Sequence, residues 1–179
     1  MTRHISIALF LLSQLPVGAA AQVSFERLLH ADEEPENWLT YSGTYASNRH
    51  SRLDQITPSN VTNLELQWVF QAESLEPFEA TPLVVDGIMY VTQPPNDVVA
   101  LDARLGRVFW TYEYTPSNQT RPCCGSINRG LAILDNTLFM GTIDANLIAL
   151  DATTGRPLWK TSVGDPAAGY ALTVAPLVI

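Results

Sequence analysis

Ala100-Leu101-Asp102-Ala103-Arg104-Leu105-Gly106-Arg107-Val108-Phe109-Trp110 returns later in the chain as Ala149-Leu150-Asp151-Ala152-Thr153-Thr154-Gly155-Arg156-Pro157-Leu158-Trp159. The shared frame is Ala-Leu-Asp-Ala-x-x-Gly-Arg-x-x-Trp. It closes a longer gap-free repeat in which Pro82 to Trp110 aligns with Leu131 to Trp159, an offset of 49 residues. Upstream, Leu83-Val84-Val85-Asp86-Gly87-Ile88-Met89-Tyr90-Val91 answers Ala132-Ile133-Leu134-Asp135-Asn136-Thr137-Leu138-Phe139-Met140. Each copy reads as a strand, a tight turn at Asp-Gly or Asp-Asn, and a second strand. A third strand ends at Ala-Leu-Asp, a glycine turn follows, and a fourth strand carries the tryptophan. Four short strands in about 40–50 residues is the size of one β-propeller blade.

Two further stretches read as parts of neighbouring units. Trp68, in Leu64-Glu65-Leu66-Gln67-Trp68-Val69-Phe70, suits the closing strand of a preceding unit. Leu172-Thr173-Val174-Ala175-Pro176-Leu177-Val178-Ile179 suits the opening strand of a following one. The shared place of the tryptophans within each unit suggests one packing role between blades. Propellers close with about four to eight blades. Two full units with parts of two others do not close one, so the expectation is a partial propeller over residues 22–179, truncated at its C-terminal end. The fold class is all-β.

Residues 1–21 read as a removable export signal. Thr2-Arg3-His4 gives a short basic start, Ile5 to Val17 is largely apolar, and Ala19-Ala20-Ala21 forms a small-residue cleavage site. The run is too short for a membrane span, and no cysteine follows the cleavage point to take a lipid. A net charge of −8 argues against nucleic acid as a partner. No C-x-x-C-H is present, so no c-type haem attachment is read. His4, His30 and His50 are scattered, and Asp86, Asp102, Asp135 and Asp151 hold turn and strand-end positions in the repeat.

The only cysteines, Cys123 and Cys124, are adjacent in Cys123-Cys124-Gly125-Ser126-Ile127-Asn128-Arg129-Gly130. Neighbouring Cα atoms lie about 3.8 Å apart, closer than the roughly 4.4–6.8 Å a disulfide prefers. A bond between these sulfurs would close a strained, flat ring that adds little loop-closure stabilisation. As a staple it would be poor; as a rigid platform for a planar ligand it would serve. The plainer reading is two thiols that fill space. Export to an oxidising compartment favours the disulfide.

These residues resemble the bacterial quinoprotein alcohol dehydrogenases, similar to methanol and ethanol dehydrogenases, whose cofactor is pyrroloquinoline quinone (PQQ). The resemblance runs from about Asn37 to the last residue. It includes Asn37-Trp38, Arg49-His50-Ser51, Glu79-Ala80-Thr81-Pro82, the Cys-Cys…Asn-Arg-Gly segment and Leu172-Thr173-Val174-Ala175-Pro176. It implies an eight-bladed propeller of which this chain holds the first few blades. It implies that a Cys123–Cys124 disulfide stacks on PQQ and that Glu79 hydrogen-bonds the cofactor. Arg129 would engage its carboxylate and quinone oxygens, and Thr173 another carboxylate. It implies a Ca²⁺ or lanthanide ion and a catalytic base, both held by residues beyond this chain, so no metal ligand and no base is assigned here. The whole enzyme would work in the periplasm, oxidising primary alcohols to aldehydes and passing electrons to cytochrome c or a membrane quinone. This chain alone would not turn over. Two other readings compete. One is a non-enzymatic scaffold built of similar repeats, which would have no need of the Cys-Cys…Arg segment. The other is a PQQ dehydrogenase acting on sugars or polyols.

Overall fold

A computed structural model describes residues 23–123 and 125–179; the expected export signal and Cys124 lie outside them. Two four-stranded antiparallel sheets follow one another along the chain, each with its strands in sequence order. The first blade is β1 (Leu83–Val85), β2 (Ile88–Gln93), β3 (Asp97–Asp102) and β4 (Val108–Tyr112). The second is β5 (Ala132–Leu134), β6 (Thr137–Gly141), β7 (Asn146–Asp151) and β8 (Pro157–Ser162). The register repeats as the sequence does. Val85 pairs with Ile88 across Asp86-Gly87, and Leu134 with Thr137 across Asp135-Asn136. Both third-to-fourth pairings shift at the same place, between Ala100 and Leu101 and between Ala149 and Leu150.

The Ala-Leu-Asp…Gly…Trp frame is explained by what it touches. Asp102 accepts the backbone N–H groups of Arg104 and Leu105 at 2.9 and 3.0 Å, and its carbonyl accepts Gly106 N–H at 2.8 Å. Asp151 likewise holds Thr154 N–H and, through its carbonyl, Gly155 N–H, each at 2.8 Å. These aspartates cap the turn after the third strand. Both glycines are left-handed (φ 69° and 71°), and a tryptophan from the preceding unit lies on each. Trp68 covers Gly106 and donates Nε1–H to Ala103 O at 3.2 Å. Trp110 covers Gly155 and donates to Ala152 O at 3.1 Å. The tryptophan is thus a docking group between units, as its repeat position suggests.

The main core fills the gap between the blades. Leu83, Val85, Tyr90, Val98 and Ala100 from the first meet Ile133, Leu138, Met140, Ile148 and Leu150 from the second. Alternation along each strand puts one set of side chains here and the other on the opposite sheet face. An N-terminal strap, including the helix α1 (Phe25–Leu29), joins both blades at their turns and edges. Val23 pairs with Asp135, and Trp38 exchanges two backbone bonds with Val84. Arg27 grips Glu34 and the turn residue Asp86, with closest contacts of 2.7 and 2.6 Å. No helix among the described residues is long and apolar enough to cross a membrane.

Two expected strands do not form. Residues 64–70 and 172–179 run without joining either sheet. A strand exists only through its ladder, and among the described residues nothing pairs with 64–70 along its length. Trp68 nevertheless takes the docking position. The second stretch makes isolated backbone bonds instead, through Leu172 N–H and Thr173 O.

Candidate cofactor site

Each repeat begins with a short lead-in to its first strand, and three lead-ins run side by side. Thr81 N–H donates to Arg129 O at 3.1 Å, and Arg129 N–H donates to Thr173 O at 3.1 Å. Thr81 and Gly130 form a parallel bridge. Gly130 is needed for this approach: its φ is 130°, and a Cβ there would sit 2.8 Å from Thr81 O. Residues far apart in sequence but alike in repeat position therefore converge.

Arg129 is the centre of the cluster. Its Nη2 lies 2.9 Å from Glu79 Oε2, and its Nη1 donates to Thr173 Oγ1 at 3.0 Å and Thr173 O at 3.3 Å. The side chains of Arg129 and Glu79 are 35% and 41% exposed, so the pair is open to solvent on one side. A guanidinium carries five N–H donors, and these contacts leave some unused. A planar cationic fork with a hydroxyl beside it suits carboxylate recognition. A glutamate beside an anionic ligand needs a compensating charge, and Arg129 supplies it. The donor set thus fits an anionic, multiply carboxylated cofactor. Of the five residues singled out in the sequence, the structure brings Glu79, Arg129 and Thr173 together. Cys123 is exposed in a turn of the same connection that carries Arg129. The pairing expected of Cys123 and Cys124 falls on a residue outside those described.

Between β4 and β5, residues 113–131 are tied at one end to the turn between β6 and β7 and at the other to the last residue of β6. Asp144 takes Tyr114 Oη–H (2.9 Å to Oδ2), Ser117 N–H (2.9 Å) and Thr142 Oγ1–H. Burial pushes the Asp144 carboxyl up, but these hydrogen bonds outweigh it and hold the group below the ordinary aspartate value. Burial first, and the bond to Asp144 second, raise Tyr114 to about 12. At the far end, buried Asn128 donates Nδ2–H to Gly141 O at 2.8 Å and accepts Gly130 N–H on Oδ1 at 2.9 Å. Buried Asn96, from the turn between β2 and β3, also donates to Gly141 O, at 3.2 Å. Sequence reading missed Asn96, Tyr114 and Asp144 because asparagine and aspartate in turns are unremarkable there. Their burial appears only in three dimensions. Among the described residues no group of three or more His, Cys, Asp or Glu side chains is placed to hold a metal ion.

Comparison with known proteins agrees with this architecture. The family model for the PQQ glucose/ethanol/alcohol dehydrogenase β-propeller domain matches residues 38–162. The dehydrogenase subunit of an alcohol dehydrogenase (quinone) from Gluconacetobacter polyoxogenes is 43% identical over 145 residues, covering 80% of this chain and 20% of that protein. Among solved structures, the quinohemoprotein alcohol dehydrogenase ADHIIG of Pseudomonas putida HK5 superposes with a TM-score of 0.83 at 39% identity, over 90% of this chain and 24% of that one. A europium-containing methanol dehydrogenase gives 0.81 at 40% identity, over 86% of this chain and 28% of its own. The chain spans about a fifth to under a third of the length of these relatives. A model matched over most of the chain, with two blades that superpose on solved dehydrogenases, carries one conclusion: the chain belongs to the PQQ-dependent glucose/ethanol/alcohol dehydrogenase family of β-propellers.

Proposed function

We propose that this chain supplies one wall of the cofactor site in an exported PQQ-dependent alcohol dehydrogenase that oxidises primary alcohols to aldehydes and delivers electrons to cytochrome c or a membrane quinone. The arrangement carrying this reading is Arg129 held between Glu79 and Thr173 where three lead-in segments meet. PQQ, when bound, supplies the two-electron acceptor. Arg129 would hold its acid groups, Thr173 would add a neutral donor, and Glu79 would fix the orientation of the guanidinium while accepting from the cofactor. Cys123 and Cys124, as a disulfide, would form the flat surface beneath it. A Ca²⁺ or lanthanide ion would be held by parts of the enzyme outside these blades; the europium-containing relative supports that reading. The leader over residues 1–21 and the partial propeller over 22–179 belong to the same proposal, with the periplasm as the working compartment.

The test uses the full-length enzyme reconstituted with PQQ and Ca²⁺. Arg129→Ala should weaken equilibrium PQQ binding by about ten- to a hundredfold, the scale of losing charged hydrogen bonds, and should remove alcohol-dependent dye reduction at limiting PQQ. Intact mass of the wild-type protein should show Cys123 and Cys124 oxidised. Unchanged PQQ affinity in Arg129→Ala would reject the site.

A further inference from the structure

The Asn128 side chain hydrogen-bonds neither Glu79 nor Thr173, yet it is 1% exposed and both its amide oxygen and its amide nitrogen have partners. Its Oδ1 accepts Gly130 N–H, an i to i+2 turn that spans Arg129 and fixes the backbone on its far side. Its Nδ2 donates to Gly141 O at the end of β6. The same corner of the second blade holds the other partner of Arg129: Thr142 O accepts Leu172 N–H at 3.0 Å, one residue before Thr173. Leu172 packs against Gly141 so closely that a Cβ there would lie 2.7 Å from Leu172 Cβ. Gly141 and Thr142 therefore locate both the arginine and the threonine, and Asn128 is the link between that corner and Arg129.

We infer that Asn128 is a positioning residue for the cofactor site, acting through Arg129 by clamping the Asn128-Arg129-Gly130 turn to Gly141. This rests on the reading of Arg129 as a ligand of PQQ. Asn96 provides an internal contrast. It donates to the same Gly141 carbonyl and accepts Ile143 N–H at 3.0 Å, but neither bond reaches the backbone of the Arg129 turn. Loss of Asn96 loosens the corner; loss of Asn128 also frees the arginine.

The experiment is a double-mutant cycle in the full-length enzyme, read by equilibrium PQQ titration of the apo-protein and by its thermal midpoint. Asn128→Ala should raise the PQQ dissociation constant about tenfold, as removal of a ligand's supporting contacts does. Asn128→Ser, whose hydroxyl can rebuild the i to i+2 bond but not the bond to Gly141 O, should recover only part of that affinity and also serves if the alanine variant does not accumulate. In an Arg129→Ala background, Asn128→Ala should add less than about twofold, because its route is gone. Asn96→Ala should lower the thermal midpoint with little change in PQQ affinity. Equal affinity losses in Asn96→Ala and Asn128→Ala would overturn the inference, as would an undiminished Asn128→Ala effect without Arg129. If Arg129→Ala itself binds PQQ normally, the site reading fails first and separately.

Discussion

Trp110 is folded into the contact between the blades, whereas its repeat partner Trp159 is 44% exposed. Inside each blade the two behave alike: Trp110 lies 6.0 Å from the Tyr90 ring and Trp159 lies 6.0 Å from the Phe139 ring. The difference lies outside the blade. In the first, both faces of β3 are covered. Val98 and Ala100 face the second blade, while Val99 and Leu101 pack with Val91 against Trp68, Phe70, Ala80 and Met89. In the second blade only the face carrying Leu138, Met140, Ile148 and Leu150 joins the core, and β8 is exposed at every position. The repeat sequence therefore specifies the strands and their register by itself. The burial that stabilises a blade comes from its neighbours.

That contrast has a direct test with a large effect. Trp110→Ala should destabilise the protein by about 3 kcal/mol, the lower end for buried tryptophan truncation, since the docking bond to Ala152 O and the core contact go together. Trp159→Ala should cost less than about 1 kcal/mol, mostly through its contact with Phe139. Urea titration of both variants decides it. Equal losses would mean that neighbour burial is not what separates the blades.

Adding a methyl group probes the same contact from the other side. A Cβ at Gly155 would lie 2.5 Å from Trp110 Cε3, and one at Gly106 would lie 2.6 Å from Trp68 Cε3. Both positions also require a left-handed backbone. The clash is the same, but the freedom to relieve it is not. Trp110 sits in β4, fixed by ladder bonds to β3, whereas Trp68 lies in residues 64–70, outside either sheet. Gly155→Ala should cost about 2–4 kcal/mol, combining backbone strain with overpacking. Gly106→Ala should cost about 1–2 kcal/mol, because the segment carrying Trp68 can shift. Thermal unfolding of the two variants gives the order, and a larger loss at Gly106 would reverse the account of which blade is held.

The same asymmetry explains what was legible in the sequence. Both blades, their two-residue hairpins and the docking tryptophans could be read because each is local and occurs twice. Residues 64–70 and 172–179 carry strand-like patterns too, yet they do not become strands, since a pattern offers one edge of a ladder and not its partner. Glu79, Arg129 and Thr173 came from resemblance alone; nothing in their spacing announces a meeting. Their convergence has a physical cause visible only after folding, which is that Thr81, Arg129 and Thr173 are linked through backbone bonds between successive lead-ins. Asn96 and Asp144 were silent for the opposite reason. They sit in turns of equal length whose residues differ between the copies, Pro94-Pro95-Asn96 against Ile143-Asp144-Ala145, so the repeat does not mark them.

The smallest effect concerns pH and separates the second blade's turn from the strap on the first. Asp144 and Glu34 are both held below their ordinary carboxyl values, Asp144 by hydrogen bonds that overcome burial, Glu34 chiefly by hydrogen bonds from Arg27. A depressed folded value means stability that is present above the unfolded value of about 4 and is lost as pH falls through the folded one. Both groups should therefore steepen acid unfolding below about pH 4. The Asp144 residue is 5% exposed and the Glu34 side chain 29%, so solvent screens the second interaction more. Asp144→Asn should flatten the acid limb more than Glu34→Gln. It should also act at high pH, because Asp144 helps raise Tyr114 to about 12. A raised tyrosine value contributes stability below about pH 10 that is lost as pH climbs toward 12. In Asp144→Asn the Tyr114 value should fall back toward 10 and that alkaline contribution should shrink, while in Glu34→Gln it should persist. Following tyrosinate absorbance and unfolding across both limbs tests the pairing, and an alkaline limb unaltered by Asp144→Asn would show that the Asp144 bond does not set the Tyr114 value.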